Sequence, residues 1–123
     1  MLDNIKRGDI VYANFGNYNR GSRQAGIRPA CIISNNKANQ HSPVITLIPL
    51  TSKNKKKELP THVSVSVNDA TGLTTDSVAL TEQIISVDKR DIKKVVGEIT
   101  NNYILQAITK GIQIQVGVFS KYN

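Results

Sequence analysis

The stretch Gly21–Pro29, GSRQAGIRP, opens into the apolar run PACIIS at Pro29–Ser34, and this junction constrains the chain more than any other. Gly21 and Gly26 bring backbone freedom that includes positive φ, as a turning loop needs. Pro29 drives the residue before it towards an extended conformation, so the loop should stop and a strand should start at Arg28. The run that follows is apolar throughout, which marks a central strand. An arginine on a rigid strand beside a flexible loop is well placed to meet an anion. On this stretch alone, a solvated surface arginine is the simpler reading.

The rest of the chain repeats the pattern of short strands and polar breaks. Ile10–Phe15 is a first strand after the Gly8-Asp9 turn signal. Gly16–Gly26 is a polar loop carrying Tyr18, Arg20 and Arg23, long enough to suggest binding rather than mere connection. Asn35–Ser42 reads as a polar loop, and Val44–Leu50 as a third strand in which Pro49 implies an edge or bulge near the end. A basic loop, Thr51–Glu58, leads to a fourth strand at His62–Val67, whose alternation marks one polar face. Asn68–Thr75 is a turn, and Ser77–Ile85 supplies one or two short strands. Beyond Val87 the character changes. Asp88 is placed to cap a short helix through about Val95, with Ile92, Val95 and Val96 inward. Thr100 or Asn101 caps a longer helix that ends by about Gly117, its apolar stripe formed by Ile104, Ile108 and Ile112 and widened by Leu105 and Val116. Short strands followed by a terminal helix predict a mainly β fold with α decoration (α+β), a small twisted β-barrel.

Length and charge narrow the function. A chain of 123 residues is expected to be a single domain, 1–123. Sixteen Lys and Arg against nine Asp and Glu give a net charge of +7, which suits a polyanionic partner: nucleic acid, an anionic membrane surface or an acidic protein. The N-terminal residues have no apolar stretch of the secretory kind, and no apolar run approaches a membrane span. The single cysteine, Cys31, lies in an apolar run and is expected to be a buried, inert thiol. With only His41 and His62 and no Cys/His cluster of ligand spacing, metal-dependent catalysis is not expected.

Six segments taken in order carry a resemblance: RGDIVYANF at Arg7–Phe15, GSRQAGIRP, PLTS at Pro49–Ser52, LPTHV at Leu59–Val63, DSVAL at Asp76–Leu80 and TEQI at Thr81–Ile84. Their order and spacing resemble the MazF/PemK-like family of toxin endoribonucleases, from about Lys6 to Asp91, and the resemblance weakens in the helical C-terminal part. It implies an SH3-like barrel with a C-terminal helix. It also implies a cytoplasmic toxin that needs no cofactor and cleaves single-stranded RNA selectively to 2′,3′-cyclic phosphate and 5′-OH ends. The implied partners are a second copy, forming a homodimer with an RNA groove, and a cognate antitoxin whose acidic segment competes for that groove.

Metal-free cleavage of RNA uses the 2′-OH as nucleophile. It requires a proton acceptor, stabilisation of charge on the phosphate, and a proton for the 5′-oxygen. Arg28 suits the phosphate, since a guanidinium forks onto its oxygens, and the resemblance makes Arg28 and Thr51 the catalytic residues; Ser52 is a helper at most and is grouped with the RNA-binding residues. Arginine is a poor base in water, yet the resemblance assigns proton transfer to it; a pair formed by His41 and His62 is the alternative. Gln24 and Ser22 can bond base edges, Tyr18 can stack on a base, and Arg20 and Arg23 add donors. Lys53, Lys55, Lys56 and Lys57 would track the phosphate backbone, although any one of them could equally be a solvated loop residue. Arg23 departs from the glutamate that family members often carry, in GSEQ. Two rivals stand beside the enzyme: a gyrase poison of the CcdB type, and a basic RNA-binding barrel without catalysis. The first relies on a C-terminal tryptophan, whereas this chain has no Trp and ends Ser120-Lys121-Tyr122-Asn123.

Overall fold

The computed structural model describes residues 4–17, 21, 23–52 and 58–123. Seven strands and two α-helices succeed one another: β1 (Asp9–Asn14), β2 (Ile27–Ile32), α1 (Asn36–His41), β3 (Val44–Ser52), β4 (His62–Val65), β5 (Ser77–Leu80), β6 (Ile85–Asp88), β7 (Ile92–Glu98) and α2 (Asn102–Gln115). The order across the sheet is β4-β5-β3-β2-β1-β7, with β6 also on β3, and every pairing is antiparallel. The strand path does not close on itself, so the barrel-like sheet stays open.

β3 is the pivot. Its first half pairs with β6 from Val44 to Leu47 and with β2 from Leu47 to Pro49, and its last three residues pair with β5. Pro49 is therefore neither at an edge nor in a bulge, as its sequence position implied. It is fully buried opposite Ala30, at the point where β3 exchanges one neighbour for another. A residue without an N–H is tolerated there because the hydrogen-bond ladder is being handed over.

The unbroken apolar runs follow from two cores, one on each face of the central strands. Val11, Ala13, Ala30, Ile32, Ile45 and Leu47 feed one, together with Phe15, Val87 and Ile92. The alternating residues Ile10, Cys31, Ile33, Ile48 and Leu50 feed the other, which α2 covers with Ile108. A strand buried on both faces has no position left for polar alternation. Cys31 sits in the second core, where burial pushes its thiol up to about 12.

Three local expectations change. Asn35–Ser42 is not a loop throughout: Asn35 accepts a hydrogen bond from the Ala38 N–H at 2.8 Å and so caps α1. Asp88 does act as a cap, but only for a 3-10 turn at Lys89–Asp91; the expected helix through Val95 is strand β7 instead. Ile92, Val95 and Val96 are β-branched, and β1 offers them a free ladder, so tertiary pairing overrides the cap. The long helix starts at the Asn101 cap as expected, yet Val116 is 66% exposed, because α2 ends at Gln115 and leaves it off the stripe. At the far end of β7 two backbones touch. A Cβ on Gly97 would lie 2.0 Å from the Thr71 carbonyl oxygen, and one on Gly72 would lie 2.2 Å from that of Val96.

Candidate active site

Arg28 is the second residue of β2 and pairs with Ala13 of β1. Pairing of β2 with β3 ends at Ala30 opposite Pro49, and Arg28 and Thr51 each lie two residues beyond that last pair, at the same end of the ladder. Thr51 itself has turned away to pair with Val78 and is only 6% exposed. Ser52, the next residue, is exposed.

Arg28 is half-buried, and its Nε is buried with no hydrogen-bond partner among the described residues. An unpaired buried donor costs about 1–3 kcal/mol. Such a cost is retained where an acceptor arrives from outside, and a planar donor fork calls for a phosphate or carboxylate.

The loop beside Arg28 is tied at its neck. The Phe15 N–H donates to the Gly26 carbonyl at 2.9 Å, and the Gly26 N–H donates to that of Gly16 at 2.8 Å. Gly16 and Gly26 both have positive φ, 91° and 73°, which turns the chain out of and back into the sheet. A third tie comes from Gln83, whose Oε1 accepts the Gln24 N–H at 2.8 Å. Between this loop and the β5–β6 connection lies a cleft of about 270 Å³. Phe15, Pro49, Ile84 and Ile85 form its apolar lining; Arg23, Gln24, Glu82 and Gln83 form its polar lining.

Glu82 is fixed on two sides. Its Oε1 accepts from the Thr61 hydroxyl and its Oε2 meets His62 Nε2, both at 3.0 Å. His62 Nδ1 accepts the Leu59 N–H at 3.2 Å, so the ring proton sits on Nε2 and both nitrogens are engaged. His62 is thus a packed residue at the start of β4, and His41 is an exposed residue in the last turn of α1.

Of the residues expected to act, Arg23 and Gln24 line the cleft, whereas Arg28 and Thr51 are not part of its lining and lie two residues past the last β2–β3 pair. Tyr18, Arg20, Ser22, Lys53, Lys55, Lys56 and Lys57 lie outside the described residues. The cleft also uses Phe15, Glu82 and Gln83, to which sequence reasoning gave no role. The available signal was Glu-Gln closing the apolar DSVAL run, in the TEQI segment. A second cleft, of about 310 Å³, borders α2, but its Arg7 guanidinium already donates to the Ile33 carbonyl and the Thr109 hydroxyl. Among the described residues no cluster of His, Cys, Asp or Glu is placed to hold a metal ion, and no helix is long and apolar enough to cross a membrane.

Comparison with known proteins bears on the family and the fold. Residues 6–116 match a family described as PemK-like, MazF-like toxin of type II toxin-antitoxin system. Among solved structures, an endoribonuclease in complex with its cognate antitoxin, from a Mycobacterial species, superposes with a TM-score of 0.76 at 22% identity, covering 94% of this chain and 98% of that one. MazF from Deinococcus radiodurans gives 0.75 at 24% identity, over 92% of this chain and 96% of that one. The MazE–MazF complex from the same organism gives 0.70 at 22%, over 92% and 95%. At these identities the structural likeness is one of fold.

Proposed function

The chain belongs to the PemK-like, MazF-like toxins of type II toxin–antitoxin systems, and from that premise we propose that it is a metal-independent endoribonuclease acting on single-stranded RNA in the cytoplasm. The observation that carries the reading is Arg28, whose buried Nε has no partner among the described residues.

In the proposed reaction the 2′-oxygen attacks the adjacent phosphorus and the bond from phosphorus to the 5′-oxygen breaks. The 2′-OH proton is given up and the 5′-oxygen takes one, leaving a 2′,3′-cyclic phosphate and a 5′-OH. Arg28 supplies donors to the phosphate oxygens as charge builds there, the largest single term in many such sites. The Thr51 hydroxyl adds a second donor. His62 is a poor candidate for the proton acceptor, because both of its ring nitrogens are already engaged. The positive charge of the chain, +7 overall, supports backbone binding by the lysines of Thr51–Glu58. Assembly as a homodimer, and inhibition by an antitoxin with an acidic segment, complete the proposal. Endoribonuclease–antitoxin and MazE–MazF complexes among the similar folds support it.

The test is incubation of the purified protein with a long RNA in excess EDTA. Discrete fragments whose new 5′ ends accept phosphate from a kinase without prior phosphatase treatment are expected. Intact RNA, or fragments bearing 5′-phosphate, would overturn the proposal; a shifted but uncut RNA would indicate a binding module.

A further inference from the structure

Glu82 has no part in the chemistry described above, yet it faces the cleft beside Gln24. We infer that Glu82 is a specificity-determining residue, and that the cleft takes one splayed nucleobase whose N–H donors its carboxylate reads. This rests on the endoribonuclease reading and names what that site selects.

Size comes first. At about 270 Å³ the cleft falls just under the range of about 300–1,000 Å³ that takes drug-sized molecules. It fits a single ring system rather than a length of chain. Phe15, Pro49, Ile84 and Ile85 give it apolar walls, as the faces of a base require. Arg23 and Glu82 bring opposite charges to the polar lining, so the apolar walls, and not net charge, favour a base as occupant. A carboxylate only accepts hydrogen bonds. The base edge it meets must therefore donate, through the amino group of adenine, cytosine or guanine, or the ring N–H of guanine or uracil.

Orientation makes the carboxylate a reader rather than a loose charge. Thr61 and His62 each hold one oxygen at 3.0 Å. A carboxylate offers about four acceptor positions, so capacity remains after both bonds are made, and the side chain is still 21% exposed. Pro49 places the cleft two residues from Thr51 on the same strand, and Gln24 places it four residues from Arg28. A base seated there belongs to a nucleotide near the scissile phosphate.

The experiment uses the full chain and an RNA made uncleavable by a 2′-deoxy sugar at the cut. Each base of the recognised word is replaced in turn by an analogue that lacks a donor: inosine and, separately, N1-methylguanosine for guanosine, purine riboside for adenosine, 2-pyrimidinone riboside for cytidine, N3-methyluridine for uridine. At one position the loss should weaken wild-type binding about tenfold or more, the scale of one good base contact. In folded Glu82→Gln the same replacement should cost several-fold less. A wild type with no donor-dependent position, or a penalty of equal size in both proteins, would overturn the inference. Should Glu82→Gln not fold, a photoreactive thio-base at that position settles it on the wild type. Crosslinks to Phe15 or Ile84–Ile85 support the seat, and crosslinks confined elsewhere refute it. Cleavage of the parent RNA is read separately: RNA that is cut without donor dependence removes only the role of Glu82, whereas intact RNA removes the enzyme and this inference with it.

Discussion

Replacing Arg28 by alanine should destroy activity while leaving the fold as stable as before, or more so. Two terms decide the sign. Truncation removes two methylenes of a half-buried side chain, worth about 0.8 kcal/mol together if each counts about 0.8 when fully buried. It also relieves a buried donor that has no partner among the described residues, a cost of about 1–3 kcal/mol. The net change is roughly 0–2 kcal/mol in favour of the variant, or a rise of up to several degrees in Tm for a chain of this size. The loss in cleavage rate should be about a hundredfold or more, as for other donors aimed at developing charge. Urea unfolding followed by circular dichroism reads the first quantity, and single-turnover cleavage of a labelled RNA reads the second. Arg28→Lys sharpens the test, because it keeps the charge but not the planar fork, and should recover little activity. A variant that is destabilised by more than about 1 kcal/mol would mean that the guanidinium holds the fold together, contrary to its unpaired Nε. A variant that still cuts would refute the catalytic assignment directly.

Other perturbations follow from the same structure. Gly97→Ala should destabilise the protein by about 3 kcal/mol or more in chemical denaturation, since overpacking against side chains already costs about 1–3 and here the Cβ would meet the Thr71 backbone at 2.0 Å; near-neutral stability would show that the crossing gives way. Cys31 should resist alkylation in the native protein and react once it is unfolded. Its thiol pKa is higher in the folded state, so the unfolded chain loses the proton first, and stability should fall as pH rises from 9.0 towards about 12; a Cys31→Ala variant should lack that slope. Replacing Lys55, Lys56 and Lys57 by Gln should flatten the salt dependence of RNA affinity without moving the cut sites, and an unchanged slope would place the RNA elsewhere. Arg23→Glu should change the base preferred at one position of the cut word in a transcriptome-scale RNA pool, because it exchanges a pure donor for a pure acceptor at the cleft; identical words cut at a different rate would leave Arg23 with charge alone.

Strand positions were legible in the sequence wherever burial or turn chemistry was local. PACIIS announced a central strand, VITLIPL announced a strand, and Thr100-Asn101 announced the start of α2. What was not legible depended on partners distant in the chain. Nothing near Ile92–Val96 reveals that β1 has an open edge waiting, so a good cap at Asp88 pointed to a helix that tertiary pairing forbids. Pro49 looked like an edge signal because a sequence cannot show a strand changing neighbours midway. At the site, Arg28 and Thr51 were reached through segment order alone, and the β2–β3 pairing ends two residues short of both. Glu82 was missed because its meaning lies in Thr61 and His62, some twenty residues earlier, which turn an ordinary surface-type residue into an oriented one.

The tied neck at Gly16 and Gly26 has a consequence for how such a protein could change its target. Two backbone bonds there close off the excursion from β1 to β2 before either strand is affected. Gln83 secures the returning side once more, at Gln24. Lengthening a closed loop costs little, about 0.6 kcal/mol for each doubling, and none of that strain reaches the register that holds Arg28 opposite Ala13. Insertion, deletion or wholesale exchange within residues 17–25 is therefore expected to change the target while Arg28 keeps its register on β1. A transplant of that segment from a relative with a different target, made at the two glycines, should carry the new preference with it.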